Sequence, residues 1–200
     1  QVAALTSTQV RALASSQLVA LGSDGFGSLS TAALHALNSA QVAALTPAQL
    51  ATLGSHELAA LVSSAVGALS AAQFEALPTA ALVGLGSAAL RALSAAEVGV
   101  LAAGAVAALT STQVAMLGTQ QVAALGAAGM QALSDAQVGA LTSLQAVALT
   151  GDELSALGAG ISALRTNALH ALSAAQLHAL TLDEMSLLGS LQVAALDATQ

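Results

Sequence analysis

Leucine recurs at every eighth residue of this chain, at Leu5, Leu13, Leu21, Leu29 and onward to Leu157. A single step of seven leads to Leu164, and the eights resume through Leu172, Leu180, Leu188 and Leu196. If this Leu is position 8 of an octad, position 5 is Val, Leu, Ile, Met or Phe, and once Ala146. Position 7 is mostly Ala. Position 4 is Gln or Glu in 16 of 25 octads, and position 1 is Ser, Thr, Asn or Gly in 19 of the 24 that follow the first Leu. Each octad therefore opens polar and closes apolar, as in Thr6-Ser-Thr-Gln-Val-Arg-Ala-Leu13.

This period restricts the local structure. An α-helix turns about 100° per residue, so eight residues carry an apolar stripe about 80° past two full turns. One long helix cannot keep such a stripe on one face. A strand needs alternation of two, and positions 5, 7 and 8 do not alternate. The pattern predicts one short helix per octad, re-aimed at each position 1.

Three further features agree. Ser or Thr at position 1 with Gln or Glu at position 4 has the spacing of a capping box, in which each side chain satisfies the other residue's backbone N–H. The charges are sorted: Asp24, Glu57, Glu97, Asp135, Asp152, Glu153, Asp183, Glu184 and Asp197 lie at positions 1 to 4, with Glu75 the exception, while two of the three arginines, Arg11 and Arg91, lie at position 6. Acids at the start and cations near the end suit a separate dipole in each octad. Pro47 occupies position 2, the first helical residue, where its missing N–H costs nothing.

Helices of about six residues do not hold alone, because nucleation outweighs two or three hydrogen bonds. Positions 5 and 8 share a face that must be buried against other octads. The expected fold is all-α: a solenoid of short helices in which each unit packs on its neighbours, with Phe26, Phe74, Met116, Met130 and Met185 as core or near-core variants. Gly at position 1 recurs at 22, 54, 86 and 118, and again at 126, 158 and 189. That spacing favours four octads per superhelical coil, with two as the rival. No linker or charge block divides residues 1–200, which read as a single octapeptide-repeat domain. The chain opens on position 4 at Gln1 and stops on position 4 at Gln200, without polar capping repeats, and reads as a segment of a longer array or a processed chain.

Composition narrows the function. Of 200 residues, 56 % are hydrophobic, 1 % aromatic and 6 % charged, with a net charge of −7. Three arginines and no lysine cannot build a phosphate-binding surface, so no nucleic-acid partner is expected. Without Cys there is no disulfide framework or thiolate chemistry. The longest stretch free of polar residues, Val98 to Leu109, is too short to span a membrane.

The pattern L-T-x-x-Q-V-x-A-L, clearest over Val2 to Leu13 and Thr110 to Leu125, resembles octapeptide arrays of large secreted or surface-attached bacterial proteins. The resemblance runs the length of the chain and implies an extracellular or cell-surface setting with a structural or adhesive role. Leu45-Thr-Pro-Ala-Gln-Leu50 is similar to the opening of a repeat in bacterial DNA-reading effectors, but period and charge both set this chain apart from them.

Candidate chemistry is sparse. His35, His170 and His178 share position 6 and could meet in adjacent coils as a metal pair, but no acid shares that face near them and position 6 tolerates Ala, Gly, Val, Arg and Ser, so they read as a solvated face; His56 beside Glu57 is less specific still. Asp152-Glu153 and Asp183-Glu184 raise calcium or acid–base work, but each pair sits in a first helical turn that accounts for it. Gly22-Ser-Asp-Gly-Phe-Gly27 lacks the Lys and the preceding strand of a phosphate loop. No catalytic, cofactor or metal residues are assigned, no cofactor is expected, and the chain is not read as an enzyme. Positions 2, 3 and 6 are mostly Ala, Ser, Thr, Gly and Val, a flat surface suited to close packing. The expectation is a rod-like spacer or filament segment that self-associates end to end or laterally through ends at Val2, Leu5, Val193 and Leu196. The alternative is an adhesive module using one strip of the surface.

Overall fold

Each octad's polar opening residues do turn the chain, and its apolar end does close a helix. A computed structural model describes residues 1–200 as 22 α-helices and three 3₁₀ helices, with no strand. The typical unit is Ser7–Ala12. Thr6 adopts extended backbone and its hydroxyl accepts from Gln9 N–H at 3.3 Å, while Gln9 Oε1 accepts from Thr6 N–H at 2.8 Å. At the other end Leu13 N–H bonds back to the Val10 carbonyl, and Leu13 leaves the helix extended, at φ −65° and ψ 136°.

The position-4 half of the box is the more constant. Ala14, Gly118 and Gly189 have no side-chain acceptor, yet their N–H groups still donate to Gln17, Gln121 and Gln192 at 2.9, 2.6 and 2.8 Å. The Gln at position 4 thus sets the helix start even where the hydroxyl is missing.

The backbone falls into two compact units, Gln1–Val100 and Leu101–Gln200. The expectation of one domain rested on an octad pattern that runs across this boundary unbroken. In the first unit Ser7–Ala12 packs on Thr31–His35, and Ser39–Ala43 on Ser63–Val66. In the second, Ala103–Ala108 packs on Gly126–Ala132, and Thr119–Ala124 on Ser143–Ala148. Each of these pairs is three octads apart. Positions 5 and 8 fill the interior: Val10, Leu18, Phe26, Val42, Leu50, Val106, Val114, Leu154 and Leu169 are wholly buried. Residue bonds between coils come in two lengths. Ser7 Oγ donates to the Ala32 carbonyl and Ser39 Oγ to the Ser64 carbonyl, 25 residues on. Glutamine amides reach back 28 and 31 residues, for example Gln41 to Leu13 and Val10. A coil therefore closes between three octads and four. The expected four agrees with the glutamine ties, the closest helix packing comes at three, and neither fits the rival of two.

The glycine series does not mark the coil, because its members belong to two backbone classes. Gly54, Gly86, Gly118 and Gly189 are extended, like any Ser or Thr at position 1. Gly22, Gly126 and Gly158 have φ of 66°, 60° and 51°, each after a Leu that has stayed helical. There the chain turns through a left-handed residue that only glycine adopts without strain. Gly118→Ser is expected to be neutral or to stabilise by a few tenths of a kcal/mol, since the new hydroxyl supplies the missing cap. Gly126→Ser is expected to cost about 1–2 kcal/mol. Urea titration of both variants checks the contrast.

The seven-residue octad is absorbed at such a turn. Gly158–Ala163 is a 3₁₀ helix. It rises about 2.0 Å per residue against 1.5 Å in an α-helix, so one residue fewer covers the octad. Ties that span it shorten by one: Ser143 Oγ reaches Asn167, 24 residues on, and Gln176 reaches Leu149, 27 back. The register on either side is preserved.

Candidate functional site

The dominant polar feature is a ladder of buried glutamines at position 4. Gln41, Gln49, Gln137 and Gln145 are all at most 2 % exposed, deeper than glutamine normally lies. Each uses both ends of its amide. In Gln145, Oε1 accepts from Thr142 N–H at 2.8 Å, and Nε2 donates to the Val114 and Leu117 carbonyls at 2.9 and 2.8 Å. Gln41, Gln137 and Gln192 repeat the geometry. One side chain thus starts its own helix and staples it to the coil before.

The acceptors are chosen by the helix end. Position 5 already receives the N–H of the closing Leu, as in Leu117 N–H to Val114 at 3.2 Å. A carbonyl has a second lone pair, and the glutamine takes it. The sequence reading recognised only the capping role. A signal for the second one was present. Acids are favoured at helix starts, yet position 4 holds 12 Gln and four Glu before residue 200. Of the amide and the carboxylate, only the amide accepts at one atom and donates at the other.

The histidines fall into separate ties. Nδ1 of His35 meets the Ala60 carbonyl at 2.9 Å, and that of His170 meets the Ala195 carbonyl at 2.8 Å. Both bonds run 25 residues forward, as the Ser ties do. His56 and His178 are exposed.

The paired carboxylates divide their roles. Asp152 and Asp183 are exposed, whereas Glu153 and Glu184 are buried and accept from Thr150 and Thr181 N–H at 2.8 and 2.7 Å. Glu184 also accepts from Ser155 Oγ at 3.0 and 3.1 Å. Asp197 is fully exposed, and its carboxyl is held below the usual range. The Thr199 hydroxyl is the main cause, followed by the backbone N–H of Gln200 and of Thr199, with the charge of His170 a lesser one. Its cap is in place above the ordinary Asp range and is lost as pH falls through the lowered value. Gly22-Ser-Asp-Gly-Phe-Gly27 forms a short helix entered through the left-handed Gly22, with Phe26 buried beneath it.

The outer surface carries the remaining chemistry. Leu144 and Val147 stand out on one helix at 75 % and 51 % exposure, and Leu182 and Leu191 reach 89 % and 78 %. Of the ends anticipated as uncovered, Val193 is exposed, while Val2, Leu5 and Leu196 are half-buried. No helix is long and apolar enough to cross a membrane.

A family model described as the ALTTAQ repeat matches residues 26–55. Within that segment Ala44-Leu45-Thr46-Pro47-Ala48-Gln49 carries the motif with Pro in place of the second Thr. These six residues are the end of one octad, the cap of the next and its staple: Thr46 and Gln49 form a capping box, and Gln49 Nε2 donates to the Leu18 carbonyl at 2.9 Å. The chain is therefore a repeat-type protein. A search of curated proteins finds no match.

Proposed function

We propose that the chain is a structural repeat module, a rod-like spacer or filament segment of a bacterial extracellular or cell-surface assembly, and not an enzyme. The observation that carries this reading is the use of the buried polar groups. Buried glutamine amides are engaged with the chain's own backbone, as Gln145 illustrates, and exposed cap hydroxyls and histidine Nδ1 atoms are too, as in Thr142 and His35. Catalysis needs unlike groups converging on a substrate. Here like groups repeat along an array and hold it together. The octapeptide resemblance supports the setting, and the small-residue surface supports lateral contact.

Self-association is part of the proposal. Analytical ultracentrifugation and electron microscopy of the purified chain are expected to show elongated assemblies that grow with concentration. Val2→Asp together with Val193→Asp is expected to return them to elongated monomers. A monodisperse monomer of unmodified chain at high concentration removes the filament reading and leaves the spacer. A compact particle removes both. The exposed Leu144 and Val147 favour adhesion as a second reading, in which Leu144→Ser abolishes surface attachment without altering assembly.

A further inference from the structure

Two kinds of side-chain tie join one coil to the next. The position-4 amide reaches back 28 and 31 residues, and the hydroxyl or imidazole of position 2 or 6 reaches 25 residues forward. Within Gln1–Val100 they are unevenly spread. The octads of residues 46–77 are held to the coil before them by four side chains. Gln49 donates to the Leu18 carbonyl at 2.9 Å and Gln73 to that of Leu45 at 2.7 Å. His35 meets the Ala60 carbonyl at 2.9 Å, and Ser39 donates to that of Ser64 at 2.9 Å.

The octads of residues 78–100 are held to residues 46–77 by neither kind. Their position-4 residues are Ala81, Ala89 and Glu97. The alanines have no polar group, and Glu97 Oε1 has no hydrogen-bond partner. Forward ties would start from positions 2 and 6 of the octads before. Ala59, Gly67, Ala71 and Glu75 supply no donor there, and no tie runs forward from Ser55 or Ser63. Caps thin out in the same stretch: Pro78 and Gly86 make no side-chain cap, and Thr79–Gly84 is a 3₁₀ helix. What crosses this seam is packing. Ser55–Ala60 meets Thr79–Gly84, Ser63–Val66 meets Ser87–Ala92, and Ala71–Glu75 meets Ala95–Gly99. Two glycines allow the close approach. A Cβ on Gly84 would lie 2.0 Å from the Ser55 carbonyl oxygen, and one on Gly67 2.8 Å from that of Ala92.

We infer that this seam is the yielding joint of the array: residues 78–100 part from residues 46–77 while the tied coils stay closed. Where stability is a sum of neighbour terms, opening starts at the interface that has the fewest. A net hydrogen bond shifts such an equilibrium by about two- to tenfold. A spacer built this way lengthens under load at one fixed place and recloses. That use rests on the spacer reading, whereas the joint rests on the bonds alone.

The test is thiol labelling of the full chain, which has no Cys of its own. Ala65 and Ala81 both occupy position 4 and are wholly buried, Ala65 in a tied octad and Ala81 in an untied one. Ala65→Cys and Ala81→Cys are labelled in urea below the global transition, at dilute protein. Each rate is referred to that of the same variant fully unfolded. The Ala81→Cys thiol is expected to react about tenfold faster or more. Adding Ala89→Gln should slow it by about two- to tenfold, since Gly86 has the extended backbone of Gly118 and Gly189, whose N–H groups meet such an amide. Adding Gln73→Ala to Ala65→Cys should speed that thiol by a similar factor. Equal rates at the two sites, or faster reaction of Ala65→Cys, overturn the inference. So does a folded Ala89→Gln chain with an unchanged rate at Ala81→Cys, or a Gln73→Ala chain with an unchanged rate at Ala65→Cys. None of these readings depends on self-association, so a chain that never assembles leaves the joint standing.

Discussion

Gln145→Ala is expected to destabilise the second unit by about 3–5 kcal/mol, well beyond the cost of an ordinary capping substitution. The amide makes three bonds at once, to Thr142 N–H and to the Val114 and Leu117 carbonyls. Truncation leaves a helix start without its acceptor and two buried carbonyls each short of one donor. Unmade buried bonds cost about 1–3 kcal/mol each. Gln145→Glu separates the two roles, because Glu keeps the acceptor and removes the donor. It is expected to retain the helix start and lose the staple, with an intermediate cost of about 2–3 kcal/mol. Hydrogen exchange resolves the two effects. Alanine should deprotect Thr142 and Leu117 alike, glutamate only the octad around Leu117. A cost under about 1 kcal/mol for alanine would mean that the box alone is energetically important at position 4.

The cap chemistry and the inner face were legible in the sequence because both are local. Thr6 and Gln9 meet within one turn, and positions 5 and 8 lie on one side of any helix that short. The last four residues show how local this is. Asp197 and Gln200 already exchange box bonds, with Asp197 N–H donating to Gln200 Oε1 at 3.0 Å and Gln200 N–H to Asp197 at 3.0 Å. They do so although residues 197–200 form a turn and not a helix.

The coil was harder to read, since its period is written in bonds from side chains to backbone carbonyls, and carbonyls are identical in every residue. The glycine spacing of 32 looked like a corner marker, but Gly22 and Gly54 sit in different backbone regions. The missing residue before Leu164 was legible as a fault of register. Its solution was not, since a 3₁₀ helix at Gly158–Ala163 depends on packing against Asp135–Val138 and Leu182–Ser186 as well as on its glycines. The functional reading met a different barrier. Of the side chains that invited chemistry, His35, His170, Glu153 and Glu184 are used by the fold, and the preference for Gln over Glu, which held the more informative message, reads as redundancy until the donor end is located.

The largest contrast within one stretch of chain is expected between two leucines three residues apart. Leu141 closes its octad at position 8 and is 2 % exposed, whereas Leu144, at position 3 of the next octad, is 75 % exposed. Leu141 N–H bonds to the Val138 carbonyl at 3.0 Å, so its backbone ends one helix just before Thr142 begins another. Its side chain is held between the helices that meet there. Leu141→Ala removes buried methyl groups and leaves a cavity that fixed neighbours cannot fill, at an expected cost of about 2–5 kcal/mol. Leu144→Ala trades one exposed helix former for a better one and should fall within about 0.5 kcal/mol of the natural chain. Because an array of repeats can unfold in parts, the comparison needs a local reading as well as a global one. Leu141→Ala should lower exchange protection first in the adjoining octads, where Gln137 and Gln145 staple to the coil before, and less toward Gln200. Equal costs for the two substitutions would place the interior on the wrong face of the octad and overturn the assignment of positions 5 and 8.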